Sequence, residues 1–224
     1  MYQRYKKDEI YRAFCAGSII TDKRVLTSSH CFFTNKKRKR RNFKKVKVVA
    51  GIIYTLANKT AFNDTQQWRS ISRIYTQRFF RFPSFNLAVL EVKDPWIFNN
   101  YVNKIPYTQK NQDFDGVCIG TAVKATKSWF ANKSLVYENL KIIKQSGCEK
   151  ILRRNCFYHY CSVHVTKKPA TSVEAEGGGL ICYGTGDPAE KDLGVLVGVT
   201  ALLSKRLPTL YNRIGLFHKW VTDG

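Results

Sequence analysis

The stretch SVEAEGGGLIC, residues 172–182, runs from a serine through two glutamates into three glycines, a short apolar strand start and a cysteine. A glycine run of this kind permits a tight turn and close backbone approach, and so suits the display of one reactive side chain. The side chain beside the glycines is Glu176, with Ala175 and Glu174 before it, not a hydroxyl. A carboxylate attacking an amide would form a mixed anhydride, uphill and with no gain in leaving group. The other candidates for chemistry are His30, next to Cys31, and the cluster NCFYHYCSVH, which holds Cys156, His159, Cys161 and His164. Zinc needs four ligands converging tetrahedrally, whereas alternate residues of an extended segment point to opposite faces. No metal is expected there, nor at His30 with Glu176, which make two ligands without a third. No cofactor motif occurs. His159, His164 and His218 read as ordinary packed or surface residues.

The elements that must position these groups are short and β-rich. GSII, RVLTSS, KVKVVAGIIYT, RSISRIYT, NLAVLEV, VCIGTAVKA, GGLICYG and LGVLVGVTALL are bounded by Gly, Asn, Asp and Pro, at spacings that predict an all-β barrel or sandwich. The tail RIGLFHKWVTDG is the best helix candidate, because Ile214, Phe217 and Val221 recur at helical spacing. KNQDFDG, residues 110–116, is a polar connector. It divides the chain into halves of about 1–108 and 109–224.

Composition narrows the class. Apolar residues make up 44% of 224, enough for a packed core. Lys and Arg number 38 against 16 Asp and Glu, a net charge of +22 that predicts attraction to polyanions. The excess is concentrated in NKKRKRRNFKKVK, where Lys36, Lys37, Arg38, Lys39, Arg40, Arg41, Lys44, Lys45 and Lys47 crowd one loop. The plain reading is a solvated loop held open by self-repulsion; the functional one is an anion-binding surface weakened by salt. Few aromatics interleave these cations, which argues against stacking on single-stranded bases. A nuclear-import signal fits the composition but conflicts with seven cysteines and no C-x-x-C, which favour an oxidising compartment. Sequons at Asn58, Asn63 and Asn132 agree with that compartment. The N-terminal MYQRYKKDEIYR has no apolar core and is no signal peptide, so a secreted protein would lack its true beginning here. No apolar run is long enough to span a membrane as a helix.

Four separated stretches resemble, in order, the trypsin-like serine peptidases of chymotrypsin fold. FCAGSIITDKRVLTSSHC (14–31) is similar to the segment where a cysteine pair flanks the catalytic histidine. FNLAVLEV (85–92) resembles the strand that begins with the triad aspartate. EAEGGGLIC (174–182) lies where the family carries Gly-Asp-Ser-Gly-Gly-Pro. LPTLYNRI (207–214), followed by Trp220, resembles the closing strand and C-terminal helix. The resemblance implies two six-stranded antiparallel β-barrels with a cleft between them. It also implies disulfides Cys15–Cys31, Cys118–Cys182 and Cys148–Cys161, leaving Cys156 over as a buried free thiol, an intermolecular bridge or a rival partner for Cys148.

By the same resemblance the triad positions read His30, Asn86 and Glu176. An amide at 86 would hydrogen-bond the imidazole without stabilising the imidazolium, a change worth about 10⁴-fold in rate in this family. The oxyanion loop would be Glu174, Ala175, Glu176 and Gly177, placing carboxylates beside a developing negative charge. Ala175 stands where the family's activating N-terminal amine finds a carboxylate. Ala170 falls at the pocket floor, and Leu203 and Thr209 at its walls. His30 and Glu176 are expected to pair across the cleft, raising the histidine's pKa. These readings imply a secreted, catalytically inactive homologue that binds a polyanion, a sulfated glycan or an acidic protein, or that engages active peptidases or their inhibitors. The alternatives are an active secreted peptidase using Ser172 or Ser162, and a basic nucleic-acid-binding protein.

Overall fold

All eight strand-like runs form strands, because their alternating or β-branched apolar residues pack a core on at least one face. The computed structural model describes residues 1–4, 10–36, 38–54, 56–58, 65–114, 116–123, 134–165, 176–203 and 207–223. The N-terminal half contributes β1 (Tyr2–Arg4), β2 (Ile10–Ala13), β3 (Ser18–Ile19), β4 (Arg24–Thr27), β5 (Val46–Ala50), β6 (Leu56–Asn58), β7 (Gln67–Thr76) and β8 (Ala88–Val92). They form an antiparallel sheet in the order β3-β4-β8-β7-β5-β1-β2-β6. The C-terminal half contributes β9 (Val117–Val123), β10 (Leu135–Ile143), β11 (His159–His164), β12 (Gly179–Cys182), β13 (Val195–Leu202) and β14 (Thr209–Arg213). These close into a six-stranded antiparallel barrel, β10-β11-β14-β13-β12-β9. The mostly-β architecture, antiparallel in both halves, is the one the resemblance implies, with the closed six-stranded barrel in the C-terminal half.

Two helices complete it. The tail forms a 3₁₀ turn, Gly215–Phe217, and then α2 (His218–Asp223), with Val221 buried against both halves as its spacing predicts. The other helix, α1 (Gln145–Leu152), had no signal in the pattern, because Cys148 is its one buried residue and leaves no apolar stripe.

Four buried clusters hold the described residues together, one of them Cys148, Cys156, Cys161, Ala201 and Leu210. Val25, Phe32, Val46, Leu90 and Trp96 fill the first half, and Leu140, Tyr160, Leu180, Val197 and Tyr211 fill the barrel. Between the halves, Ile20, Leu26, Leu87 and Val89 meet Leu196, Val199, Ile214 and Val221. Each such side chain contributes roughly 1.5–3 kcal/mol through burial. The segment before the polar connector is stitched to both sides: Ile105 N–H donates to Ile19 O at 2.9 Å, and Leu196 N–H to Pro106 O at 2.9 Å. The cleft walls are therefore fixed relative to one another by packing and by backbone hydrogen bonds.

The bridges are Cys15–Cys31, Cys118–Cys182 and Cys148–Cys161, the pairs the resemblance implies. Cys156 is a free, buried thiol whose Sγ lies 3.0 Å from Cys148 Sγ. Burial first, and Glu149 second, raise its pKa. The NCFYHYCSVH side chains disperse: His159 Nε2 meets Pro83 O at 3.2 Å and His164 Nδ1 meets Glu138 at 3.0 Å. The sulfurs that do converge are those of Cys148, Cys156 and Cys161, two of them already bridged.

Candidate functional site

His30 occupies a 3₁₀ turn, Ser29–Cys31, that follows β4. Three constraints fix it. The Cys15–Cys31 bridge ties its end to the chain before β3. The Ser29 hydroxyl donates to Leu87 O at 2.5 Å. The His30 backbone N–H donates to Asn86 Oδ1 at 2.8 Å.

The last contact corrects an expectation, since the Asn86 amide meets the main chain of His30 and not its ring. Asn86 is fully buried with both side-chain polar atoms engaged, its Nδ2 donating to Ala201 O at 3.2 Å. Its backbone is clasped by Asn212 of β14, whose Nδ2 donates to Asn86 O at 3.0 Å and whose Oδ1 accepts from Asn86 N–H at 3.4 Å. A carboxylate could accept from His30 N–H but has no proton for Ala201 O. The amide is thus matched to a bridge between the two walls. Asn212 was not visible in the sequence, because a lone asparagine inside a strand carries no motif.

The imidazole is engaged from another direction. Arg40 Nη1 lies 2.6 Å from His30 Nε2 and donates to His30 O at 2.9 Å. A guanidinium has donors alone, so Nε2 must be the acceptor and the ring proton sits on Nδ1. Nδ1 is buried with no hydrogen-bond partner. The ring also packs on Phe82, with centroids 4.4 Å apart. Burial, then Arg40, then Arg41 lower the histidine's pKa. This reverses the direction expected from a Glu176 pair: among the described residues no ion pair joins Glu176 to His30, and the charges that reach the ring are positive. Glu176 is half-buried, and burial raises its carboxyl, with Arg40 and Arg41 pulling the other way.

The opposite wall is a backbone frame. Ala16 N–H donates to Glu176 O at 2.8 Å, and Thr200 donates to Gly178 O from both N–H and Oγ1, at 2.8 and 3.0 Å. Gly177 has φ of 80°, and a Cβ there would lie 2.3 Å from Thr27 Oγ1 and 2.6 Å from Ala16 O. Glycine is required at this position by conformation and by space. Cys118–Cys182 then anchors the far end of the strand.

The basic run is not a uniform open loop. Phe33 pairs with Lys39 across a hairpin, Thr34 N–H donates to Arg38 O at 2.9 Å, and Arg40 N–H donates to Phe32 O at 2.7 Å. That pairing turns Arg40 onto His30 and lays the Arg41 guanidinium 4.1 Å from the centroid of Phe14. Lys47 is spent within the sheet on Ser70 Oγ at 2.6 Å. Lys36, Arg38, Lys39, Lys44 and Lys45 are exposed, as is Arg40, whose guanidinium is engaged on His30. Self-repulsion does not hold the loop open, because cation–π contacts (Lys39 on Phe43, Arg41 on Phe14) and the hairpin offset it.

Leu203 and Thr209 are both half-buried near the barrel rim, Thr209 opening β14 opposite Ser162. Ser162 is 2% exposed inside β11, where no substrate carbonyl could reach it. Lys37, Ala170, Ser172, Glu174, Ala175, Asn63 and Asn132 lie outside the described residues, as does the side chain of Asn58.

Comparison with known proteins agrees with the geometry. A family model described as Trypsin matches residues 2–221. Among curated proteins, the chain is similar to coagulation factor IX of Cavia porcellus, at 28% identity over 122 residues. That match covers 52% of this chain and 38% of the relative, so the similarity spans well under half of the relative's length.

Proposed function

The chain belongs to the trypsin family, and from that premise we propose that it is a non-catalytic member that acts by binding an anionic partner. The observation that carries the reading is the Arg40 guanidinium on His30 Nε2 at 2.6 Å. A general base in this fold must offer that lone pair to a hydroxyl. Here the lone pair is occupied, the ring's pKa is lowered, and the nucleophile's position in the family motif is Glu176. Asn86 adds to the case, because its amide is committed to the cleft walls and leaves Nδ1 without an orienting carboxylate. Labelling with a serine-directed organophosphonate tests the reading. No adduct is expected, and an adduct on any residue from 172 to 180 would overturn it.

Binding is assigned to the exposed cations of the loop at the cleft rim, Lys36, Arg38, Lys39, Lys44 and Lys45. A sulfated glycan or an acidic protein surface fits their charge, and salt should weaken either. Replacing the five by Ser should shift elution from a heparin column to markedly lower salt, whereas unchanged retention rejects the assignment. Three disulfides in a trypsin-like domain support secretion as the setting.

A further inference from the structure

A second surface lies at the seam of the two halves. Five aromatic rings form a continuous ladder there. Phe79 meets Phe85 with centroids 6.2 Å apart, Phe85 meets Tyr158 at 4.6 Å and Phe217 at 5.6 Å, and Tyr158 meets Phe157 at 5.2 Å. Phe79 and Phe85 come from the first half; Phe157, Tyr158 and Phe217 come from the second. The ladder's ends are open to solvent, Phe79 at 66% and Phe157 at 44% exposure, and Ile151 of α1 adds 50%. Phe79 and Phe157, so exposed and joined by half-buried rings, go beyond the scattered singles of an ordinary surface.

The ladder is also held at a cost. Phe85 has φ of 53°, a left-handed conformation that a bulky residue rarely adopts. That backbone sets its ring between Tyr158 and Phe217, and the Asn212 clasp on Asn86 fixes the chain immediately after it.

Charge and ring geometry decide what the surface fits. The Arg78 guanidinium lies 5.6 Å from the Phe79 centroid, over the ring. Arg153 and Arg154 are exposed between Ile151 and Phe157. The nearby acid, Glu149, is occupied by Cys156 N–H at 3.0 Å and Gln145 Nε2 at 3.0 Å. Phe79 on Phe85, Phe85 on Phe217 and Phe157 on Tyr158 are all edge-to-face contacts. Ring faces are therefore used within the ladder or covered by Arg78, which leaves few flat faces for stacked bases. Ring edges are electropositive and, with guanidinium groups beside them, complement carboxylates.

We infer that the seam from Phe79 to Phe157 is a docking surface for an acidic polypeptide segment that carries aromatic or aliphatic side chains. Apolar side chains pack against Phe79 and Phe157, and carboxylates meet Arg153 and Arg154.

Anisotropy of a fluorescein-labelled synthetic peptide alternating Glu with Phe and Leu tests this on the full chain. Saturable binding is expected, weakened more than about tenfold in Phe79→Ser/Phe157→Ser, with heparin retention unchanged. Arg154→Glu should weaken it as well, and this variant carries the test if the double variant does not fold. Equal affinity in the variants, or equal binding of poly-glutamate, would reduce the surface to general charge attraction and overturn the inference. Binding of oligo-dT or phosphatidylserine vesicles without binding of the peptide would assign the seam to another class of partner and overturn it too.

Discussion

The two walls of the cleft are held in different ways. The barrel wall, from Glu176 to Cys182, is held by features that serve packing: a glycine with φ of 80°, a carbonyl taking two hydrogen bonds from Thr200, and a disulfide. The facing wall, from His30 to Arg41 with Asn86, keeps its backbone turn and bridge but has redirected its polar atoms. Backbone close approach admits almost no substitution, whereas a hydrogen-bonding atom can acquire a new partner if the old one is replaced. On the proposed reading, the frame of the site has outlasted its reaction for that reason.

The contrast can be broken at the barrel wall first, where the largest effect is expected. Gly177→Val should lower unfolding free energy by about 4 kcal/mol, since it adds strain at positive φ to a clash with Thr27 and the Ala16 carbonyl. Urea denaturation checks this, and a loss under 1 kcal/mol would mean the wall is pliant.

Acid should come next. Burial lowers the pKa of His159 from 6.5 to about 4, with the Pro83 contact acting against it. The folded protein then binds that proton less readily than the unfolded chain. Its contribution is fully present above pH 6.5 and is lost as pH falls towards 4, by about 3 kcal/mol in all. His30, also lowered, acts with the same sign. His159→Gln should flatten that part of the stability–pH curve, measured by denaturation at several pH values.

Asn86→Asp sharpens the comparison from the other wall. It restores the residue the family resemblance leads one to expect, yet should cost about 2 kcal/mol, because a buried carboxylate would oppose Ala201 O. A neutral or stabilising outcome, read by thermal melting, would mean that this wall has not specialised. The smallest effect is expected from Arg40→Ala. Removing one cation should raise the pKa of His30, with burial and Arg41 still holding it below the usual imidazole value. An NMR titration of the ring shows the direction.

Strands and bridges were legible in the sequence for physical reasons. NLAVLEV and LGVLVGVTALL carry the apolar patterns that a two-layer core demands, and the cysteine pairs followed from the resemblance. Helix α1 was not legible, since it packs through Cys148 rather than through a stripe. The role of Arg40 was hidden for a different cause. A run of cations reads as solvated, and only the Phe33–Lys39 hairpin shows that its fifth cation, Arg40, turns onto His30. Asn212, a single amide spanning the walls, depends on β14 lying beside the start of β8 and has no local signature.

On the proposed reading the cleft performs no peptide hydrolysis, because the imidazole of His30 is occupied by a guanidinium. The most direct measurement is hydrolysis of a denatured protein substrate by the purified chain and by His30→Ala. Both should match the rate in buffer alone. Cleavage by the parent chain that disappears in His30→Ala would contradict the claim.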